Sequence, residues 1–156
     1  ELEYVNFYLY LQKCRFEDKL TYEIHLEPPS CAALLIPRLC IQPIAENSMV
    51  HGIEPSQHPG HIQIQVTQKE DTLVISVKDN GVGFPKELHG ETPEEIHSYT
   101  SEDHTHIGML NVHKIIRHFY GEPYGVSIFS IPQEGTQVIL TLPLEYGQDE
   151  KEDNHV

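Results

Sequence analysis

The sequence is poor in basic side chains. Its 10 Lys and Arg residues are outnumbered by 24 Asp and Glu, which gives a formal net charge of -14 over 156 residues. Nucleic-acid surfaces rely on clustered Lys and Arg, so this balance argues against nucleic-acid binding. It does not argue against a nucleotide pocket, because such a pocket requires only local hydrogen-bond donors.

Cysteines and long apolar runs are also scarce. The three cysteines are odd in number and form no C-x-x-C motif, so neither a disulfide framework nor a zinc knuckle is expected. We find no secretory leader, and a reducing, cytoplasmic compartment fits best. No apolar segment approaches the roughly 20 residues that a membrane helix requires, so we expect a soluble chain. Because Glu1 falls within a helical pattern, we expect a piece of a longer protein.

Length and composition predict one domain. With 156 residues and 38% hydrophobic side chains, the chain can form one complete core. Apolar periodicity predicts helices over 1–13, 36–52 and 108–120, and strands over 20–26, 62–66, 72–78, 125–131 and 135–144. The strands over 62–66 and 72–78 should form an antiparallel hairpin. We therefore expect a single globular α/β domain.

The segment LVISVKDNGVGFP is the most informative part of the sequence. Leu73, Ile75 and Val77 alternate with the residues at 74, 76 and 78, and the same period places Asp79 on the core face. A buried carboxylate needs hydrogen-bond donors, and it can accept the exocyclic amino group of a purine. The two glycines within 80–83 allow a ligand to approach the backbone closely. The alternative is that Asp-Asn-Gly forms an ordinary hairpin turn.

A second informative segment is IPRLCIQPIAENSMVHG, over 36–52. On a helical wheel, Asn47 falls in the middle of an apolar stripe, where an amide needs partners. Asn47 is therefore either a core residue bonded to backbone or a ligand for a hard cation such as Mg²⁺. Glu46 lies one position off the stripe, where it either orients a metal-bound water or is simply solvated. The stripe comprises Ile36, Leu39, Cys40, Pro43, Ile44, Val50 and His51.

Periodicity fails over 84–107, and we expect a long loop that is either a lid or disordered. Its basic residue is Lys86, and its four histidines, at 89, 97, 104 and 106, match no common zinc pattern. The next helix begins at Gly108, so its free backbone N–H groups either bind an anion or form an ordinary loop–helix junction. Asn111 in its first turn is a further candidate for phosphate or metal. Residues 146–156 form an acidic tail for which we expect disorder.

In this order, the features resemble the ATP-binding domain of the Bergerat-fold superfamily, which gyrase, mismatch-repair ATPases and histidine kinases share. PRLCIQPIAENSMVHGI resembles the N box, DNGVGF and HIGMLNVHKIIRHFYG the two glycine boxes, and GTQVILTLP the last strand. The Q-P-x-x-E-N-x-x-x-H-G form and the preceding YLYLQKCRFEDKLTYEIHL are similar to sensor histidine kinases of the LytS/YesM type. The resemblance extends to about Glu145. It implies an α+β fold, a two-layer α/β sandwich with helices on one face of a mixed, mostly antiparallel sheet.

The resemblance also implies roles for individual residues. Asp79 would read adenine, Asn47 would bind Mg²⁺, and Glu46 would be the acidic catalytic partner beside the metal. Gly81 and Gly83 would form the hinge of an ATP lid over about 84–107. The other implied ATP contacts are His51, Phe84, Lys86, Ile107, Gly108, Met109, Asn111 and Thr136.

As a kinase domain, the chain would use ATP and Mg²⁺ to phosphorylate a histidine on a separate dimerisation domain. Its downstream partner would be a response regulator. Residues 1–14 would be the end of the dimerisation helix or its linker, and 15–145 the catalytic domain. The family's phosphoacceptor helix, with its Pro-His-Phe motif, should lie upstream. The full-length protein is expected to be a homodimer in the bacterial inner membrane, with this domain in the cytoplasm.

Three positions depart from the family pattern: His106 replaces Gly, Met109 replaces Leu, and Ile115 stands where Arg is expected. Three alternatives follow. A Bergerat-fold ATPase is disfavoured because Pro43 occupies the position where hydrolysing relatives carry a general-base Glu. A serine-protein kinase or anti-sigma regulator would share the pocket and differ in its phosphoacceptor. A degenerate nucleotide-binding scaffold is the third, since His106 could crowd the phosphates.

Overall fold

The computed structural model describes residues 1–99 and 106–147. In chain order, its main elements are α1 (Leu2–Phe16), β1 (Leu20–Glu27), α2 (Gln42–Asn47), a π-helical turn (Ser48–Ile53), β2 (Gly60–Lys69), β3 (Thr72–Asp79), β4 (Leu88–Glu91), α3 (Pro93–Tyr99), α4 (Ile107–Tyr120), β5 (Gly125–Ile131) and β6 (Gly135–Pro143). Short 3₁₀ turns follow α1 and β1. The helices and strands predicted from periodicity are thus present, with the differences given below.

The six described strands form one mixed sheet in the order β1-β2-β3-β6-β5-β4. β1 runs parallel to β2, and the other neighbours are antiparallel. One face of the sheet is apolar, because alternate residues such as Ile64, Ile75 and Leu140 are fully buried there. That face shares a single core with residues of α1, α2 and α4. The two-layer α+β sandwich expected from the resemblance is confirmed.

The predicted helix over 36–52 is wrong in its start and in its stripe. Helix α2 begins at Gln42, because Pro43 has no N–H to donate and is tolerated only in a first turn. The π-helical turn then shifts the register of the following residues. Two residues assigned to the apolar stripe are consequently exposed, Leu39 at 63% and Val50 at 45%.

The segment over 84–107 is more ordered than its lack of periodicity predicted. Strand β4 pairs with β5, and Ile96 of α3 is buried. A capping box starts α3: the Thr92 N–H donates to Glu95, and the Glu95 N–H donates to the Thr92 hydroxyl. Residues 100–105, including His104, lie outside the described part. That 84–107 acts as a lid stays a prediction.

The ends of the chain bear on the predicted domain limits. Val5 and Leu9 of α1 are fully buried in the common core, so α1 packs on the rest of the domain. Near the other end, Tyr146 forms an isolated bridge with Leu34. Most of the predicted tail, 148–156, lies outside the described residues. The limits at 14 and 145 stay predictions.

Helix α4 lies where a helix over 108–120 is predicted. Its buried residues are Met109, Val112, His113 and Ile116, whereas Phe119 near its end is 67% exposed. None of the helices within 1–99 and 106–147 combines the length and apolarity needed to span a membrane.

Candidate functional site

A cavity of about 190 Å³ opens where the end of β3 meets α2, the π-helical turn and the start of α4. Both apolar and polar side chains line it, as expected of a small-molecule site. Seven of the residues implied by the resemblance lie in its wall: Asn47, His51, Asp79, Gly83, Phe84, Met109 and Thr136. The fold therefore brings together residues that are up to 89 positions apart in sequence.

Asp79 is only 4% exposed at the cavity wall. Its Oδ1 accepts a hydrogen bond of 2.9 Å from the Gly81 N–H, and the Ser48 hydroxyl and the Thr136 N–H also donate to the carboxylate. The segment after β3 is not a hairpin turn, because the sheet neighbours of β3 are β2 and β6. Of the two interpretations of Asp79, the buried carboxylate with waiting partners is confirmed.

Burial raises the pKa of the Asp79 carboxyl above its ordinary value of 3.8, although its three donors oppose the shift. The folded protein then retains a proton at Asp79 at pH values where the unfolded chain has lost it. Stability from this group is therefore present at and below pH 3.8, and it is lost as pH rises through the raised pKa.

The raised pKa predicts that the difference in unfolding free energy between the wild type and Asp79→Asn depends on pH. As pH falls from 7 towards 4, the unfolding free energy of the wild type should rise relative to that of the variant, which has no group to titrate. Urea denaturation of both proteins across this range measures the difference. A difference that stays constant with pH would contradict the raised pKa.

Close backbone packing holds the loop after Asp79 against the π-helical turn. The Val82 N–H donates to the Gly52 carbonyl at 3.0 Å, and a Cβ on Gly81 would overlap that same carbonyl group. A Cβ on Gly52 would lie 2.8 Å from Asp79 Oδ1. Gly83 has a φ of 68°, a left-handed conformation that favours glycine. The glycines thus fix the backbone around the carboxylate.

Asn47, the last residue of α2, lies in the cavity wall with an unsatisfied amide. Its buried Nδ2 has no hydrogen-bond partner among the described residues. Amide oxygen and nitrogen exchange places on a 180° rotation, so either atom can be presented to a ligand. Mg²⁺ prefers oxygen and commonly takes one or two protein ligands, with phosphates and water completing its shell. Asn47 fits such a site; no cluster of three His, Cys, Asp or Glu suited to a metal occurs in the described ranges.

Aromatic rings stand at the other side of the cavity. The His106 ring stacks on Phe84, with 4.5 Å between centroids and 26° between planes, and His51 meets His106 edge-on at 6.1 Å. His106 is also the residue that precedes α4. The departure from glycine at this position therefore places an imidazole in the cavity wall.

Six implied site residues do not line the cavity. Glu46 is exposed and accepts a 3.0 Å hydrogen bond from Gln42 Nε2. Lys86, Ile107 and Asn111 are exposed, and Gly81 lies buried behind the wall. A sixth, Gly108, faces Asn47: a Cβ there would lie 3.8 Å from Asn47 Nδ2. The roles assigned to all of them stay predictions.

The sequence interpretation missed several residues of the wall. Ser48 is 4% exposed and donates to Asp79, a contact that sequence patterns do not reveal because it joins the π-helical turn to β3. Gly52, the last residue of the helix predicted over 36–52, also lies in the wall. The other missed wall residues are Ile44, Pro85 and Val138.

Comparisons with known proteins identify the family of the chain. The family model for "Histidine kinase-, DNA gyrase B-, and HSP90-like ATPase" matches residues 35–146. The sensor histidine kinase YesM of Bacillus subtilis is 35% identical over 92% of this chain, and the sensor protein LytS of Staphylococcus epidermidis is 31% identical over 96%. The chain spans only 23% and 25% of the length of these relatives.

Among solved structures, the catalytic domain of the histidine kinase ThkA has a TM-score of 0.62 at 17% identity, covering 94% of this chain and 95% of that domain. ThkA in complex with the response regulator TrrA gives 0.57 at 18% identity, covering 92% and 40%. At these identities, the likeness shows the fold alone. Because the family model matches residues 35–146, the chain belongs to the family of histidine kinase-, DNA gyrase B- and HSP90-like ATPases.

Proposed function

We propose that this chain is the nucleotide-binding catalytic domain of a two-component sensor histidine kinase. It binds ATP with Mg²⁺ and donates the γ-phosphoryl group to a histidine on a dimerisation domain of the full-length protein. The observation that carries the proposal is Asp79, a buried carboxylate held by three donors at the wall of a cavity. Membership of the ATPase family and similarity to YesM and LytS support it.

Asp79 would read adenine. Its carboxylate keeps acceptor capacity after the bonds from Gly81, Ser48 and Thr136, because two carboxylate oxygens offer about four lone-pair sites. The exocyclic amino group of adenine is a donor, whereas guanine has a carbonyl oxygen at the same position. Apolar wall residues such as Ile44, Met109 and Val138 would cover the faces of the base.

The phosphates would extend from adenine towards Asn47 and the N-terminus of α4. Free N–H groups at a helix start, together with the helix dipole, stabilise negative charge. Asn47 would hold Mg²⁺, which when bound neutralises charge on the phosphate oxygens. Phosphoryl transfer asks the protein mainly for positioning and charge stabilisation, and these residues supply both.

In the transfer step, an imidazole nitrogen of the acceptor histidine attacks the γ-phosphorus. The bond from that phosphorus to the bridging oxygen of ADP breaks, and Glu46 accepts the proton that leaves the imidazole. Glu46 suits this role because it is exposed beside Asn47, where a separate helix can approach. One turn earlier, Pro43 has no base with which to activate a water, so the transfer is favoured over hydrolysis.

Calorimetric titration with ADP and a non-hydrolysable ATP analogue, with and without Mg²⁺, tests the nucleotide site. We expect saturable binding that depends on Mg²⁺. Absence of binding at millimolar nucleotide would reject the proposal in favour of a degenerate scaffold. Incubation with labelled ATP and the dimerisation domain of the full-length protein then tests transfer, and acid-labile phosphohistidine is the expected product. Phosphoserine on a partner protein would indicate the serine-kinase alternative.

Replacement of Asn47 by Ala should remove the dependence of nucleotide binding on Mg²⁺. The affinity for ADP without metal should change little, because Asp79 and the apolar wall remain. Calorimetry of the variant across a series of Mg²⁺ concentrations measures the effect. Asn6→Ala, an exposed Asn-to-Ala change on α1, is the matched control. Unchanged Mg²⁺ dependence in Asn47→Ala would place the metal elsewhere.

The remaining proposals concern the whole protein. We propose that 15–145 is the catalytic domain, that 1–14 ends a dimerisation helix or linker, and that 84–107 is the ATP lid hinged at Gly81 and Gly83. A response regulator would receive the phosphoryl group, as the ThkA complex with TrrA illustrates for that protein. The domain would lie in the cytoplasm of a homodimeric kinase that is anchored in the inner membrane.

A further inference from the structure

The first residue of the chain holds the start of the helix that carries Asn47. Glu1 Oε1 accepts hydrogen bonds from the N–H groups of Ile41, at 2.7 Å, and Gln42, at 3.0 Å. Its Oε2 accepts a third, at 3.3 Å, from Cys40. Ile41 precedes α2 and has no polar side chain with which to cap it. A carboxylate some 40 positions away in sequence therefore satisfies amides that a helix start leaves unpaired.

Helix α1 also contacts the same segment farther along. Arg15 lies 3.5 Å from Glu54, which directly follows the π-helical turn. Between these ends, Tyr8 is half-buried, and its pKa is raised to about 12 by burial and by the charges of Glu46 and Glu54. Helix α1 thus contacts this segment at the start of α2 and again just after the π-helical turn.

This packing has a direct consequence for Asn47. Helix α2 is only 6 residues long, and Asn47 is its last residue. At about 1.5 Å per residue, the amides held by Glu1 lie only about 8 Å from Asn47 along a rigid element. Asn47 has no hydrogen-bond partner for its Nδ2 among the described residues, so its position is set mainly by the helix that carries it.

We infer that Glu1 is a positioning residue for Asn47: by holding the N-terminus of α2, it fixes where the Asn47 amide stands in the cavity. The expected effect of Glu1 on nucleotide binding rests on the proposed function, whereas its expected effect on the position of the Asn47 amide does not. Residues that orient a metal ligand typically contribute 10- to 100-fold to metal affinity. Helix α1 is accordingly part of the site as well as of the core.

The test compares Glu1→Ala with Glu3→Ala. Both remove one carboxylate at the start of α1: Glu1 is the residue that precedes the helix, and Glu3 is an exposed residue of its first turn. In Glu1→Ala, the Ile41 and Gln42 amides should exchange hydrogen faster, and the Asn47 side-chain amide resonance should shift. The gain in ADP affinity from Mg²⁺ should fall about tenfold, with metal-free ADP affinity within about twofold of wild type. Glu1→Gln should keep most of the wild-type gain in affinity from Mg²⁺, because its amide oxygen can still accept the two shortest hydrogen bonds.

The outcomes separate this inference from the proposed function. If the wild type binds no nucleotide, the proposed function fails, whereas the Asn47 resonance still tests the positioning. Positioning is overturned if that resonance in Glu1→Ala matches the one in Glu3→Ala. It is also overturned if Mg²⁺-dependent and metal-free affinities fall together, since a general loss of structure would lower both.

Discussion

Replacement of Asp79 by Asn is expected to weaken the binding of ATP, ADP and AMP by about ten- to a hundredfold, because a hydrogen bond to a charged acceptor contributes about 1.5–3 kcal/mol. All three nucleotides should lose affinity alike, since they share the adenine that Asp79 would contact. The variant keeps the shape of the side chain, and its amide oxygen can still accept the Gly81 N–H. Calorimetric titration of the three nucleotides measures the loss.

Asp71→Asn is the matched control, because it makes the same chemical change in the exposed turn between β2 and β3. Its nucleotide affinity should equal that of the wild type. Base specificity gives a second readout: the preference for ATP over GTP should shrink in Asp79→Asn, because only the carboxylate strongly disfavours the carbonyl oxygen of guanine. Equal loss of ATP and GTP affinity would show that Asp79 does not recognise adenine.

The placement of Asp79 was predictable because it depends on a local rule. Side chains in a strand alternate between two faces, so three apolar residues before Asp79 were enough to assign the carboxylate to the core. Five of the six described strands follow from the same rule, whereas β4 does not. Helix α4 was equally clear, because it combines a sustained apolar spacing with a glycine, Gly121, directly after its last residue.

Helix α2 and the π-helical turn were not predictable in the same way. A wheel of constant pitch extended the helix back to Ile36, although Pro43 limits where a helix can begin. The same wheel continued through the π-helical turn without a change of register, so it predicted that Val50 faces the core. Val50 is in fact exposed. No local sequence pattern predicts a π-helical turn, because its stability comes from tertiary contacts such as the hydrogen bond from the Val82 N–H to the Gly52 carbonyl.

The partners of Asp79 illustrate the same limit at the site. Sequence reasoning established that the carboxylate needed donors, but it named neither Ser48 nor the N–H of Thr136 as a donor. These groups reach Asp79 only after the π-helical turn and β6 have packed beside β3. By contrast, the capping box of Thr92 and Glu95 was a local signal that could have revealed α3.

The Gly81→Ala variant should lose both stability and nucleotide binding. The added Cβ would overlap the backbone carbonyl of Gly52, and backbone cannot move aside as a flexible side chain can. We expect a loss of about 3 kcal/mol or more in unfolding free energy, which lowers the melting temperature by roughly 6–12 °C. Urea and thermal denaturation measure the stability, and calorimetry with ADP measures the binding.

Gly147→Ala is its control, because a Cβ there has only ordinary contact, 4.0 Å from Leu35 Cδ1. It should leave stability and binding unchanged. Gly81 should couple the two properties because the carbonyl that Ala would displace accepts the Val82 N–H, and the Gly81 N–H itself donates to Asp79. A Gly81→Ala protein with wild-type stability would mean that the loop after β3 and the π-helical turn are not in backbone contact. The glycine after Asp79 would then serve only as a lid hinge.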